Sequence, residues 1–77
     1  MELSKENKAI LAHVVIDPDA WVEHALATVG EWAVIAKIAK YKPDYLAQKS
    51  KPEYKTRAER KLELEEKREA YFLQAIR

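Results

Sequence analysis

Apolar residues recur at helical spacing through the front of the chain and give way to charge behind it. Ile10, Leu11, Val14 and Val15 form one stripe, and Ser4 stands where a cap would open a helix running to about Val15. The β-branched run Val14-Val15-Ile16 also suits a short extended segment, but the chain offers it no partner strand, so helix is expected. Asp17-Pro18-Asp19 is the clearest local signal: Asp17 can cap, Pro18 suits the first helical position, and Asp19 meets the positive helix end. From there Trp21, Val22, Ala25, Leu26, Val29, Trp32, Ala33 and Ala36 keep one phase across Gly30, which predicts a single helix to about Tyr41. A glycine inside a helix costs ~1 kcal/mol, so a break at Gly30 is the alternative. The stretch from Trp32 to Ala39 is apolar almost all round, which places it in the centre of a core or against another subunit.

Behind it, Pro43 and Pro52 bracket a connection with a helical turn expected at Asp44 to Gln48. Two capping-box sequences, Ser50-Lys51-Pro52-Glu53 and Thr56-Arg57-Ala58-Glu59, compete to start a last helix ending near Arg77. Its seam reads Ala58, Leu62, Glu65, Glu69, Phe72, Ile76, and the two glutamates break a coiled-coil pattern. That helix has two apolar ends around a charged waist.

The pattern predicts an all-α fold, a three-helix bundle-like arrangement in a single domain over residues 1–77. Residues 1–41 would form the apolar helical core, 42–55 a basic connection rich in Tyr, Lys and Pro, and 56–77 the charged C-terminal helix. The first two helices would make a hairpin across Ile16 to Asp19, and the third would pack by its ends. Trp21, Leu26, Val29, Trp32 and Ile35 are expected to be the most buried side chains.

Composition sharpens this split. Residues 9–39 hold 21 apolar and five charged residues, whereas residues 40–77 hold 14 apolar and 18 charged. The net charge of +1 conceals −4 over residues 1–36, +6 over 37–61 and −1 over 62–77. A chain of 77 residues buries only about 60–65% of the surface it exposes when unfolded, so a lone protomer is marginal and self-association is a physical expectation. There is no cysteine, which removes thiol and disulfide chemistry. Glu31 and Lys37 interrupt the best apolar run, and the polar start Met1 to Glu6 is unlike a secretory leader, so a cytoplasmic protein without a membrane span is expected.

Candidate chemistry is sparse. His13 and His24 lie eleven positions apart on different predicted helices, without the spacing of a metal site, and are expected to be ordinary surface or boundary residues. Asp17 and Asp19 are accounted for by capping. Ser4, Thr28, Ser50 and Thr56 have no nucleophile elbow, and one glycine cannot build a phosphate-cradling loop. No catalytic residue, metal ligand or cofactor is assigned, and the chain is expected not to be an enzyme.

Two surfaces remain. Tyr71, Phe72, Leu73 and Ile76 cover more than one face of the last helix; either they fold back against Trp21 and Trp32 or they contact a partner. Lys40, Lys42, Lys49, Lys51, Lys55, Arg57, Arg60 and Lys61 interleave with Tyr41, Tyr45 and Tyr54. That composition suits single-stranded nucleic acid, through phosphate pairing and base stacking, or else is a solvated connection whose rings pack inward. The leading expectation is a small helical interaction or assembly module that self-associates or binds a protein partner through apolar helix ends. Nucleic-acid binding by residues 37–61 is the alternative. Neither a membrane nor a small-molecule substrate is implied.

Overall fold

The structure, a computed structural model, describes residues 1–76, with side chains through Ala75. It is all-α, with α1 (Lys5–Val14), α2 (Pro18–Thr28), α3 (Glu31–Gln48) and α4 (Arg57–Ile76) and no strand among the described residues. The caps expected at Ser4 and Asp17 form. Ser4 Oγ accepts from the Asn7 N–H at 3.1 Å, and Asp17 Oδ1 accepts from the Ala20 N–H at 3.2 Å with Pro18 in the first turn. Val15 is extended (φ −124°, ψ 148°), so the β-branched run ends α1 and turns the chain into α2.

Gly30 divides the long helix expected here. Its φ of +133° and ψ of 175° lie in territory closed to residues with a side chain, and the N–H groups of Val29 and Gly30 both end on the Ala25 carbonyl. The chain leaves α2 and restarts in a new direction, so residues on either side of Gly30 no longer share a face. This overturns the expected core. Val29, Trp32 and Ile35 are exposed, Trp32 by 68%, and Trp21 and Leu26 are only half-buried. The core instead comprises Ile10 and Leu11 of α1, Val22 and Ala25 of α2, and Val34 and Ile38 of α3. Tyr41 and Tyr45 extend the inner face of α3 against it.

Pro43 does not end α3. It lies inside the helix, which runs on to Gln48, so the connection spans 49–56 rather than beginning at 42. A proline there forfeits one backbone hydrogen bond. The next turn is held from outside the helix, because Asp44 and Tyr45 are engaged by α1. Of the two competing capping boxes, the second forms: the Thr56 N–H donates to Glu59 Oε1 and the Glu59 N–H donates to Thr56 Oγ1.

α4 does not pack by both ends. Among the helices it meets only α1, near its own first turns, and from Leu64 onward every described side chain is exposed. The molecule measures 51 × 30 × 17 Å with a radius of gyration of 15.7 Å, against about 11.5 Å for a compact domain of this length. The helix therefore projects.

Candidate interaction surface

Two features shape the surface, a pinned joint on the inner side of α3 and bare apolar stripes elsewhere. The joint is built on His13. The residue sits one turn beyond Ile10 on the buried side of α1 and is 4% exposed. Its Nε2 lies 2.6 Å from Asp44 Oδ2, and Gln48 Nε2 donates to the other carboxylate oxygen at 2.7 Å. The Tyr54 hydroxyl lies 3.4 Å from His13 Nδ1. An Nε2–H donating to Asp44 and a Tyr54 O–H donating to Nδ1 satisfy every partner. Tyr54 stacks on the imidazole with centroids 5.7 Å apart, and Tyr45 meets both rings edge-on, 6.2 Å from His13 and 6.0 Å from Tyr54, so the three rings form a triangular cluster. Arg60 donates to the His13 carbonyl and so ties the start of α4 to the end of α1.

The electrostatics follow from these bonds. The His13 and Gln48 hydrogen bonds hold the Asp44 carboxyl below its ordinary range, and burial pushes the Tyr54 phenol up. Thr56 lowers Glu59 through its backbone N–H and then its hydroxyl, and Lys55 lowers Glu63 through the Lys55–Glu63 ion pair. Both ring nitrogens of His13 are engaged. The nearest open cleft, about 400 Å³ beside Tyr54, Arg60 and Glu63, is not lined by His13. The cluster can fasten three helices together; it presents no free imidazole nitrogen to a bound molecule. His24, in contrast, is exposed on α2.

Sequence reading missed this joint, placing His13 at the surface or a boundary. The available signal was its phase: His13 follows Ile10 by three positions and therefore shares the apolar face of α1. No spacing rule links residue 13 to residues 44 and 54.

The basic segment is distributed differently from its sequence. Tyr41, Tyr45 and Tyr54 are half-buried, Tyr41 and Tyr45 against the core and Tyr54 against His13. Lys37 lies 4.9 Å from the Trp21 ring centroid, Lys40 5.5 Å from Tyr41 and Lys49 5.8 Å from Tyr45. Lys55 pairs with Glu63 and Lys61 with Glu65. Lys40, Lys42, Lys49, Lys51 and Arg57 are exposed. The rings of Tyr41 and Tyr45 are thus half-buried and in contact with the ammonium groups of Lys40 and Lys49, and do not stand free.

The bare stripes lie elsewhere. On α3, Val34, Ile38, Tyr41 and Tyr45 face inward at four- and three-residue steps. About 120° round the helix Trp32, Ile35, Ala39 and Leu46 repeat the same rhythm and are all exposed. From Trp32 to Leu46 this second stripe is about 21 Å long. On α4, Leu62, Phe72 and Leu73 are exposed along one side and Leu64 and Tyr71 along another. Tyr71, Phe72 and Leu73 do not fold back on Trp21 and Trp32; the side chain of Ile76 lies outside the described residues. Total accessible surface is 6040 Å², about 1,200 Å² above the ~4,800 Å² of a compact monomer of 8.9 kDa.

Among the described residues no group of acidic and histidine side chains could hold a metal ion, and no helix is long and apolar enough to cross a membrane. Comparison of the chain with models of protein families, with curated proteins and with solved structures finds no match.

Proposed function

We propose that this protein is a small, non-enzymatic helical assembly module that self-associates through the outer face of α3 and the exposed face of α4. One observation carries the reading: α3 has two apolar faces, and only one is covered. A helix with two separate apolar stripes needs a partner on each, and Trp32, Ile35 and Leu46 are 68, 55 and 41% exposed in the single chain. Two copies bring a combined surplus of about 2,400 Å², enough to supply a stable protein interface, which buries ~1,200–2,000 Å² counted over both partners. The basic stretch around Lys40, Lys42 and Lys49 would steer an acidic surface toward this face.

Single-stranded nucleic acid would need tyrosine rings free to stack. The half-burial of Tyr41, Tyr45 and Tyr54 favours protein docking over that alternative.

Light scattering across a concentration series tests the proposal. The mass should rise from 8.9 kDa to a multiple of it, with association holding or strengthening as sulfate is added. A strict monomer at every concentration would overturn it. Binding of a labelled single strand at low salt that collapses as salt rises would instead favour nucleic acid.

A further inference from the structure

We infer that the outer face of α3 is filled by α4 of a second copy of this chain, running antiparallel to it; this rests on the self-association reading above. The argument is one of register. Along α3 the outer stripe reads Trp32, Ile35, Ala39, Lys42, Leu46, two apolar ends around a small and basic centre. Along α4 the exposed seam reads Leu62, Glu65, Glu69, Phe72, with Leu73 beside it: apolar ends around an acidic centre. Both follow the three- and four-residue steps of helices that pack side by side.

Laid antiparallel in one register, the two seams match throughout. Leu46 meets Leu62 of the second copy, Lys42 meets Glu65, Ala39 meets Glu69, and Ile35 meets Phe72. Lys42 then lies between the two glutamates that spoil α4 as a coiled coil with itself, and Ala39 leaves them room. The acidic waist of α4 thus becomes a partner for the single charge in the α3 stripe. Trp32, the largest exposed apolar side chain on α3, reaches the last apolar turn beside Leu73. A parallel alignment can also bring Ile35 to Leu62 and Lys42 to Glu69, but it sets Trp32 against Ala58 and Glu59, which bury it poorly.

The occupant is a second copy rather than the chain's own α4. The start of α4 is fastened to the other side of the molecule, where Arg60 holds the His13 carbonyl and Tyr54 stacks on its ring. Reaching the outer face of α3 in the same chain would require undoing that joint. An exchange in which each copy gives α4 to the other's α3 leaves both joints intact and satisfies a closed twofold assembly.

The native chain has no cysteine, which makes a direct test available. A Leu46→Cys chain is mixed with a tagged Leu62→Cys chain and oxidised; both positions are exposed, and circular dichroism checks that helicity is retained. The expected result is a cross-linked heterodimer well above the homodimer background of either variant alone. In parallel, Lys42→Glu should weaken association about tenfold or more, and adding Glu65→Lys and Glu69→Lys should restore it. If light scattering shows a dimer but the mixture does not cross-link, or Ile35→Cys links to Leu62→Cys instead, the antiparallel exchange is wrong while self-association stands. If a chain carrying both Leu46→Cys and Leu62→Cys links only within the monomer, α4 closes on its own α3. A protein that is monomeric throughout removes both readings.

Discussion

Replacing His13 by alanine is the sharpest test of the joint that aims α4. The imidazole is 4% exposed and forms a three-ring cluster with Tyr45 and Tyr54. Truncating a buried ring of this size costs about 2 kcal/mol in lost contacts and cavity. A hydrogen bond to a charged partner contributes about 1.5–3 kcal/mol when shielded, but the Asp44 side chain is 52% exposed, so about 1 kcal/mol is the appropriate share. The expected loss is therefore about 3 kcal/mol. A domain of this length has about 4–12 kcal/mol of stability, so the variant would lose a large part of it. With a urea dependence of about 1 kcal/mol per molar, the unfolding midpoint should fall by about 3 M, read by circular dichroism at 222 nm. His24→Ala, at an exposed position, should stay within about 0.5 kcal/mol and serves as the control. A midpoint shift below about 0.5 M for His13→Ala would mean that the cluster does not hold the helices together. Asp44→Asn should cost less in the His13→Ala background than in the native chain, by about 1 kcal/mol.

Three further outcomes follow from the same geometry. Gly30→Ala should destabilise by about 1–3 kcal/mol by thermal unfolding, because φ of +133° is closed to alanine although its Cβ would find only ordinary contact at 3.4 Å with Trp32; a neutral result would mean that α2 and α3 join differently. Leu11→Ala should cost about 2–5 kcal/mol of folding stability, whereas Trp32→Ala should leave monomer stability within about 0.5 kcal/mol and weaken association, a contrast that denaturation and light scattering read separately. Asp44, Glu59 and Glu63 all titrate below their unfolded values of 3.8, 4.5 and 4.5, so their stabilisation is present above those values and lost as pH falls through the lower folded ones; urea midpoints should drop as pH is lowered below 4.5, and Asp44→Asn should flatten part of that drop.

Local signals were the most legible part of the chain. Ser4, Asp17-Pro18-Asp19 and Thr56-Arg57-Ala58-Glu59 each act within four residues, and each does in the structure what its spacing implied. The stripe of α1 was legible for the same reason. The expected core failed where it depended on continuity over distance. Trp21 through Ala36 share a helical phase only if the backbone is helical at Gly30, and one extended residue there sends Val29, Trp32 and Ile35 to the surface. Pro43 misled in the opposite direction, since its local cost is offset by the grip of α1 on Asp44 and Tyr45.

The chain alone determined that this protein is helical, where three of its helices begin, and that apolar residues exceed what one small core can hold. These are consequences of side-chain spacing and of groups only a turn apart. Tertiary structure decided which apolar face is covered, that His13 joins Asp44 across 31 residues and Tyr54 across 41, and that α4 leaves the body of the molecule. The physical reason is that a helix with two apolar stripes gives both an equal claim to the interior. The hydrophobic effect is blind to direction, so the choice fell to backbone torsion at one glycine and to a few directional bonds between distant residues.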